Sequence, residues 1–370
     1  MNAVKKLVFS VSLVFLMILV LFAGTNPVYA AEKVYNLTMQ AGWPRVDPSF
    51  GILDVLIKSA DERSKGRIKI KAFGDPEIVP ADQLLDAVKL GTVDMMHSVG
   101  LYWEGIIPIG GAEFGLPMAY LIPWKDTYQE KAQELRDFYF SSGMIDILRE
   151  EYAKHGHYYL DIFTSGSDLV LSKEPLKNMH DWKGKKIRTD GINITYYNHL
   201  GAKGTPIPGT EAYMSLKLGV IDAAHWDVGA IRGLKWYEVA PYWNKGFETN
   251  IVCNLTINLD IWNSMPKDLK EALRGAAEDY WYAAIEMYKK EFIHAEKLAE
   301  EGKIKMVTVD DETQQAFKES AKIIWDQAAK KDPATAKAIT LIREWIASHP
   351  ELSNKRETNG SHYSNYRKIH

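Results

Sequence analysis

An arginine stands at the end of a short strand-like segment in the middle of the chain. Arg188 ends the run KKIR and precedes a Thr-Asp-Gly turn. A guanidinium at the carboxyl end of a strand can offer a planar fork of two parallel N–H groups to a carboxylate. The same spacing also fits a surface salt bridge to Asp190 or Asp222. The sequence leaves both interpretations open.

Aromatic residues follow a short phrase that occurs twice. KLGTVDMMHS begins at Lys89, and KLGVIDAAHW begins at Lys217, 128 positions later. Each phrase has the pattern of a helix end, a capping glycine and a strand. Tyr102 and Trp103 come shortly after the first phrase, and Trp226 ends the second. Because parallel α/β sheets bind ligands at the carboxyl ends of their strands, these residues predict the walls of a cleft for an organic solute. The alternative is that they fill an ordinary interface between lobes.

Sequence signatures of common enzyme sites are missing. The chain contains no Gly-x-Ser-x-Gly elbow, no His-Glu-x-x-His motif and no phosphate-binding Gly-Lys loop. His225 and Asp227 flank Trp226 at the expected cleft, where one of them could hold a cation. They keep open a second hypothesis, in which the chain is an exported enzyme acting on a small acid.

Alternating strand-like and helix-like segments position these residues. The first group comprises strands at Tyr35–Gly42 and Arg67–Phe73, helices over Phe50–Ser64 and Ala81–Leu90, and a strand at TVDMMHS. The same order restarts after residue 155 with HYYLDIF, KKIR, two short helices and VIDAAHW. A long amphipathic helix from Lys267 to about Glu300 and two further helices follow.

This alternation predicts an α/β fold with largely parallel strand pairing. Because the order is repeated, we expect two lobes, with the long helix bracing both. Lobe I covers 31–155 and lobe II covers 156–250. Residues 251–350 hold a crossing strand, the long spanning helix and the C-terminal helices, and 351–370 form a disordered polar tail.

The first thirty residues have the composition of an export signal. Lysines precede an uncharged apolar run from Leu7 to Ala23, and a small-residue cleavage site ends at Ala30. We therefore expect residues 1–30 to be a cleaved signal peptide and the mature protein to be periplasmic; an uncleaved anchor is the alternative. The net charge of −3 predicts no nucleic-acid surface, and the single cysteine, Cys253, cannot form an internal disulfide.

Six segments together resemble the substrate-binding proteins of tripartite ATP-independent periplasmic (TRAP) transporters. They are LTMQAGWP, LLDAVKLGTVDMMHSVGLYW, EFGLPMAY, DWKGKKIRTDG, GTPIPGTEAYMSLKLGVIDAAHW and IWNSMPKDLKEAL, in the family's order over residues 35 to 300. The resemblance implies a two-lobed, type II-like periplasmic binding protein that closes around an organic anion. It also implies integral membrane subunits as partners, and some branches form homodimers.

The resemblance assigns roles to individual residues. Arg188 matches the arginine that pairs with the substrate carboxylate, and Tyr102 and Trp103 fall where the first lobe lines the pocket. Trp226 matches a tryptophan of the branch that binds 2-oxo and 2-hydroxy acids. The candidates for the remaining polar contacts are His225, Asp227, Ser167 and Asn193.

That branch holds a metal ion beside the ligand. Its ligands are an acidic residue directly before the tryptophan and a glutamine about twenty-one positions before the arginine. His225 and Ser167 occupy those positions here, so we expect no cofactor, although Asp227 or Asp168 could compensate for a metal. Lactate, pyruvate-like oxo acids, aromatic acids and sulfonates all remain possible ligands, and the aromatic richness favours an acid larger than pyruvate. A ligand-sensing module would show the same features as a transport protein.

Overall fold

The computed structural model describes residues 33–120, 128–246 and 249–350. The chain divides into a short unit, Met1–Tyr35, and a large unit, Asn36–His370. In the described part of the short unit, the Lys33 ammonium lies 4.4 Å from the centre of the Tyr35 ring. The expected signal peptide and the expected polar tail lie outside the described residues. Within those ranges, no helix is long and apolar enough to cross a membrane.

The strands expected from the sequence are present, with ends that differ by a few residues. The structure also forms a short strand at Lys203–Thr205 that the sequence analysis does not predict. The strands are β1 (Tyr35–Ala41), β2 (Ile68–Phe73), β3 (Met95–Ser98), β4 (His157–Ser172), β5 (Lys186–Arg188), β6 (Lys203–Thr205), β7 (Ala223–Asp227), β8 (Tyr242–Lys245), β9 (Asn250–Asn258) and β10 (Lys305–Thr308).

Helices separate most of these strands. They are α1 (Pro48–Gly51), α2 (Leu53–Arg63), α3 (Leu84–Lys89), α4 (Gly110–Phe114), α5 (Tyr128–Ser141), α6 (Met144–Ala153), α7 (Met179–Trp182), α8 (Ile192–His199), α9 (Gly209–Leu218), α10 (Gly229–Arg232), α11 (Leu259–Ser264), α12 (Lys267–Glu300), α13 (Asp311–Ala328) and α14 (Pro333–Ser348). Short 3₁₀ turns lie at Ala81–Gln83, Gly100–Trp103 and Trp236–Glu238.

The two lobes have the same topology. Lobe I places β2, β1 and β3 side by side, and lobe II places β6, β5 and β7 in the same relative order. β1 pairs parallel with β3, and β5 pairs parallel with both β6 and β7. An antiparallel strand follows each set, β9 beside β3 and β4 beside β7. The expected parallel α/β fold is therefore confirmed within each lobe, and the strands that join the lobes are antiparallel.

β4 belongs to both lobes. Residues 157–167 pair with β9, and residues 168–172 pair with β7. The register shifts between Thr164 and Ser167, around Gly166, whose φ of +73° is a conformation that other residues rarely adopt. A Cβ atom there would also lie 3.0 Å from the Phe292 ring. Gly166 thus allows the strand to change direction as it crosses between lobes.

The repeated phrase performs the same structural task in each lobe. The backbone N–H of Asp94 donates to the carbonyl of Thr38 (3.0 Å), and the Asp94 carboxylate accepts from the Thr38 N–H (2.7 Å). Asp222 makes the same reciprocal pair with Lys186, at 2.8 and 2.9 Å. Both aspartates come directly before β3 and β7, not inside them as expected. From that position, each fixes the register of a parallel strand pair.

The long helix α12 contacts both lobes, as expected. Its 34 residues span about 50 Å. Near its middle, Asp279 pairs with Arg63 of α2 in lobe I. Two turns later, Tyr288 donates a hydrogen bond to Asp227 of lobe II, and Glu291 pairs with Arg232 of α10. Because α12 is continuous, it fixes the spacing between its contacts on the two lobes.

Candidate functional site

A cavity of about 50 Å³ lies where the carboxyl ends of β1, β3, β5 and β7 converge. This is the edge at which the sequence predicts a cleft. The middle of β4 and the start of β9 form its floor. Its lining residues come from both lobes and both crossing strands: Trp43, Val99, Leu101, Tyr102, Phe114, Ser165, Arg188, Asp190, His225, Trp226, Asp227, Ile251 and Cys253.

Arg188 is held rigidly at the end of β5. Its side chain is only 4% exposed. Nε donates to the carbonyl of Ile207 (2.8 Å) and Nη1 to the carbonyl of His225 (3.1 Å). The guanidinium also lies 4.6 Å from the centre of the Trp226 ring, a cation–π contact. These contacts fix the plane of the guanidinium fork before any ligand arrives.

Asp190 is the third protein partner of Arg188. Its Oδ2 lies 2.5 Å from Nη2 of the arginine. The salt bridge considered from the sequence therefore exists, but it lies in the cavity wall and not on the surface. Asp222, the other candidate partner, binds the backbone of Lys186 at the opposite end of the strand. Three of the five guanidinium N–H groups have these partners, and the hydroxyl of Tyr102 in the cavity wall also interacts with the guanidinium.

Trp226 forms a wall of the cavity and connects the lobes. Its Nε1 donates to Oδ2 of Asp47, which follows β1 in lobe I, at 3.3 Å. One edge of the ring packs on Trp236, with ring centres 5.8 Å apart. Another edge lies against Gly209, where a Cβ atom would come within 2.8 Å of the indole. Together with the cation–π contact to Arg188, one hydrogen bond and two packing contacts therefore hold the indole in place.

Asp227 and Asp47 form a buried acidic pair behind Trp226. Asp227 accepts from the Gly229 N–H (2.7 Å) and from the Tyr288 hydroxyl (3.0 Å). Burial raises the pKa of both carboxyls, and the neighbouring charge of Asp47 raises the pKa of Asp227 further. The pair therefore favours holding a proton when the lobes are together.

His225 already has protein partners at both ring nitrogens. Nε2 lies 2.9 Å from Oδ2 of Asp168, and Nδ1 lies 3.3 Å from the Thr189 hydroxyl. The other Asp168 oxygen accepts from the Thr249 N–H. His97, the equivalent residue of the first phrase, sits among aromatic rings, and burial lowers its pKa to about 3. The same position is thus an apolar core residue in lobe I and part of a polar pair in lobe II.

Of the two aromatic residues that lobe I was expected to contribute to the cavity, only one lines it. Tyr102 lines the cavity, and burial raises the pKa of its hydroxyl, with a further contribution from the charge of Asp190 and an opposing one from Arg188. Trp103 points away from the cavity. Its indole N–H donates to the Tyr152 hydroxyl (2.9 Å), and the side chain is buried in the core of lobe I.

Two further candidates also lie outside the cavity lining. Ser167 pairs with Asn250 in the sheet, and Ser165, on the other side of the bend at Gly166, lines the cavity instead. Asn193 is buried in the first turn of α8. Its side-chain nitrogen has no hydrogen-bond partner among the described residues.

Trp43 is a lining residue that the sequence analysis missed. It follows β1, so the strand-end rule that led to Tyr102 also applies to it. The residue is 6% exposed, and its indole N–H has no hydrogen-bond partner in the described part of the chain. A buried donor without an acceptor is costly, and a ligand oxygen would satisfy it.

The fold and this cavity agree with the comparison of the chain with protein families. A model described as bacterial extracellular solute-binding protein, family 7, matches residues 39–332. The chain belongs to this family, so it is a TRAP-type solute-binding protein and not an enzyme.

Individual relatives cover nearly the whole chain. It is 26% identical over 353 residues to a monocarboxylate 2-oxoacid-binding periplasmic protein of Nostoc sp., which is 93% of this chain and 92% of that protein. A TRAP solute-binding protein of Bordetella bronchiseptica, solved with calcium and picolinate, has a TM-score of 0.79 and 23% identity, covering 86% of this chain and 94% of that one. One of Colwellia psychrerythraea, solved with calcium and pyruvate, has a TM-score of 0.78 and 22% identity, covering 87% and 97%. These solved structures confirm the two-lobed fold.

Proposed function

We propose that this chain captures a small organic monocarboxylate in the interlobe cavity and delivers it to the membrane subunits of a TRAP transporter. The observation that carries the proposal is the buried Arg188 guanidinium, which lines the cavity and is fixed in plane by the Ile207 and His225 carbonyls and by Asp190. A carboxylate in the cavity would accept two parallel charge-assisted hydrogen bonds from the terminal nitrogens of this guanidinium. The monocarboxylate named for the Nostoc relative and the acids bound by the two solved relatives support the same ligand class.

Around the carboxylate, we assign Trp226 and Tyr102 as walls and the N–H of Trp43 as a further donor to a ligand oxygen. His225 and Asp227 also line the site. Their side chains bind other protein groups, Asp168 and Tyr288, and not the ligand. We assign Ser165 to the place in the site that the sequence analysis expected for Ser167. Trp103 and Asn193 have no direct role in this assignment.

The volume of the cavity favours a short acid. About 50 Å³ holds only a few groups the size of a water molecule. A short acid therefore suits this cavity better than the larger acid that the aromatic composition suggests. Because the lining comes from both lobes, hinge opening would admit the ligand and closure would bury it.

The side chains of the cavity do not fit a metal ion of the kind bound by the solved relatives. Both ring nitrogens of His225 have protein partners, and both oxygens of Asp168 and of Asp227 already accept hydrogen bonds. In the described ranges, no three His, Cys, Asp or Glu side chains form a group that could hold a metal. We therefore propose that the anion binds through protein groups alone.

The proposal also includes export of the protein, the border between its lobes and its oligomeric state. We infer that residues 1–30 are removed on export and that the mature protein is periplasmic. We place the border between lobes I and II inside β4, since this strand pairs with both lobes. A homodimer stays a prediction for this chain, although the Bordetella relative was solved as a dimer.

The test begins with a thermal-shift screen of the purified protein against short organic acids, followed by calorimetry with the tightest ligand. Arg188→Ala should weaken binding by at least about 100-fold, and Arg188→Lys should lose most of the affinity because an ammonium cannot form the planar fork. Arg343→Ala, at a surface ion pair with Asp326, is the matched control. Unchanged affinity in Arg188→Ala, with an intact circular dichroism spectrum, would reject the assignment.

A further inference from the structure

The polar groups that the cavity offers to a ligand are mostly donors, and Asp190 is the main exception. The terminal N–H groups of Arg188 and the N–H of Trp43 require acceptors, and the hydroxyls of Tyr102 and Ser165 can both donate and accept. Asp227 also carries a carboxyl, but its two oxygens already accept from Gly229 and Tyr288. Asp190 is therefore the carboxylate with acceptor capacity beside the bound anion.

The second carboxylate oxygen of Asp190 remains able to accept a hydrogen bond. Oδ2 lies against Nη2 of Arg188, and the side chain is 19% exposed. Among the residues that the structure describes, none donates a hydrogen bond to Oδ1. A carboxylate has about four lone-pair positions, so the ion pair with Arg188 leaves Asp190 able to accept again.

We propose that Asp190 selects small 2-hydroxy acids over the 2-oxo acids of the same length; this inference rests on the proposed function. The oxygen on C2 of such an acid is two bonds from the carboxylate carbon, so a carboxylate bound to Arg188 brings that oxygen next to Asp190. A hydroxyl there donates a charge-assisted hydrogen bond to the carboxylate. A keto oxygen cannot donate, and it would bring a second acceptor against Asp190.

The difference in binding free energy between a hydroxy acid and its keto analogue should be large enough to measure. Sites built to hydrogen-bond a hydroxyl reject analogues that lack it, because the buried protein group is left unpaired. With the anion bound through protein groups alone, as proposed above, a keto oxygen would face Asp190 without an intervening cation. We expect the hydroxy acid of each pair to bind at least about tenfold more tightly than the keto acid.

Calorimetry with matched pairs tests this directly. The pairs are lactate with pyruvate, 2-hydroxybutyrate with 2-oxobutyrate, and 2-hydroxyvalerate with 2-oxovalerate. In Asp190→Asn the ratio of dissociation constants should fall towards one, since an amide can accept from a hydroxyl and donate to a keto oxygen. Asp326→Asn, at the surface ion pair with Arg343 and outside the cavity, should keep the wild-type ratio.

The outcomes distinguish failure of the selection by Asp190 from failure of carboxylate capture itself. Equal or tighter binding of the keto acids by the wild type, or an unchanged ratio in Asp190→Asn, would overturn the selection by Asp190 while leaving carboxylate capture intact. Failure of every acid to bind, in a protein that remains folded, would overturn the proposed function and this inference together.

Discussion

The indole nitrogen of Trp226 donates a hydrogen bond to Oδ2 of Asp47, and the two atoms are 3.3 Å apart. This bond connects a cavity wall of lobe II to the segment that follows β1 in lobe I. The same indole faces the Arg188 guanidinium at 4.6 Å. Closure of the lobes and orientation of the anion-binding arginine therefore depend on one side chain. Changes that move Trp226 should alter affinity without unfolding either lobe.

Gly209 gives the most specific way to move that ring. A Cβ atom at this position would lie 2.8 Å from the Trp226 indole, and the glycine opens helix α9 in an ordinary conformation. Gly209→Ala should weaken ligand binding about tenfold or more while leaving the circular dichroism spectrum unchanged. Gly51→Ala, where nothing lies within 4 Å of the added atom, should bind normally. Full affinity in Gly209→Ala would show that the ring position does not matter for binding.

Trp43 should contribute through its N–H group. Trp43→Phe keeps most of the ring, which packs on His97 at 4.6 Å, but removes the donor. We expect the calorimetric dissociation constant to rise about tenfold, as for loss of one hydrogen bond to a charged group. Trp325→Phe, whose N–H donates to the Pro117 carbonyl away from the cavity, serves as the control. An unchanged constant for Trp43→Phe would remove this residue from the site.

Removal of metal ions should leave binding intact. Protein treated with EDTA and dialysed into metal-free buffer should bind its acid with the same affinity as untreated protein, since the candidate metal ligands His225 and Asp227 already have protein partners. Calorimetry with and without added calcium measures this. Loss of affinity that calcium restores would contradict the proposed metal-independent site.

The buried Glu113 should make stability depend on pH. Burial raises its pKa to about 7, against hydrogen bonds from Tyr152, Asn254 and Tyr159. Because the folded protein holds this proton more tightly than the unfolded chain does, the free energy of unfolding falls as pH rises from about 4.5 to 7. Urea unfolding at pH 5 and pH 8 should show that Glu113→Gln reduces this loss by about 2 kcal/mol.

A surface substitution provides the comparison for that measurement. Glu300→Gln, at the exposed end of α12, should retain the pH dependence of the wild type. If Glu113→Gln loses as much stability as the wild type between the two pH values, Glu113 does not titrate in this range.

The fold was largely predictable because both lobes repeat a simple alternation of strands and helices. The strand-end rule also placed Arg188, Tyr102 and Trp226 at one cavity. The full length of β4 was not predictable, since the residues around Gly166 have the composition of a turn. The bend there also explains why Ser165 faces the cavity while Ser167 does not.

Side-chain direction limited the rest of the site prediction. Tyr102 and Trp103 are neighbours in a 3₁₀ turn, and only tertiary packing decides which ring enters the cavity and which enters the core. Trp43 is not among the predicted site residues because it lies one position beyond the predicted strand Tyr35–Gly42. The partners of His225 lie on β4 and next to β5, so their contacts with it depend on strand pairing.

A crystal structure of the purified protein with its tightest-binding acid tests the central claim most directly. We predict a closed form with the ligand carboxylate on the two terminal nitrogens of Arg188, with Trp226 and Tyr102 against its carbon skeleton. A ligand held elsewhere, or one whose carboxylate makes no contact with Arg188, would contradict the proposed mode of binding.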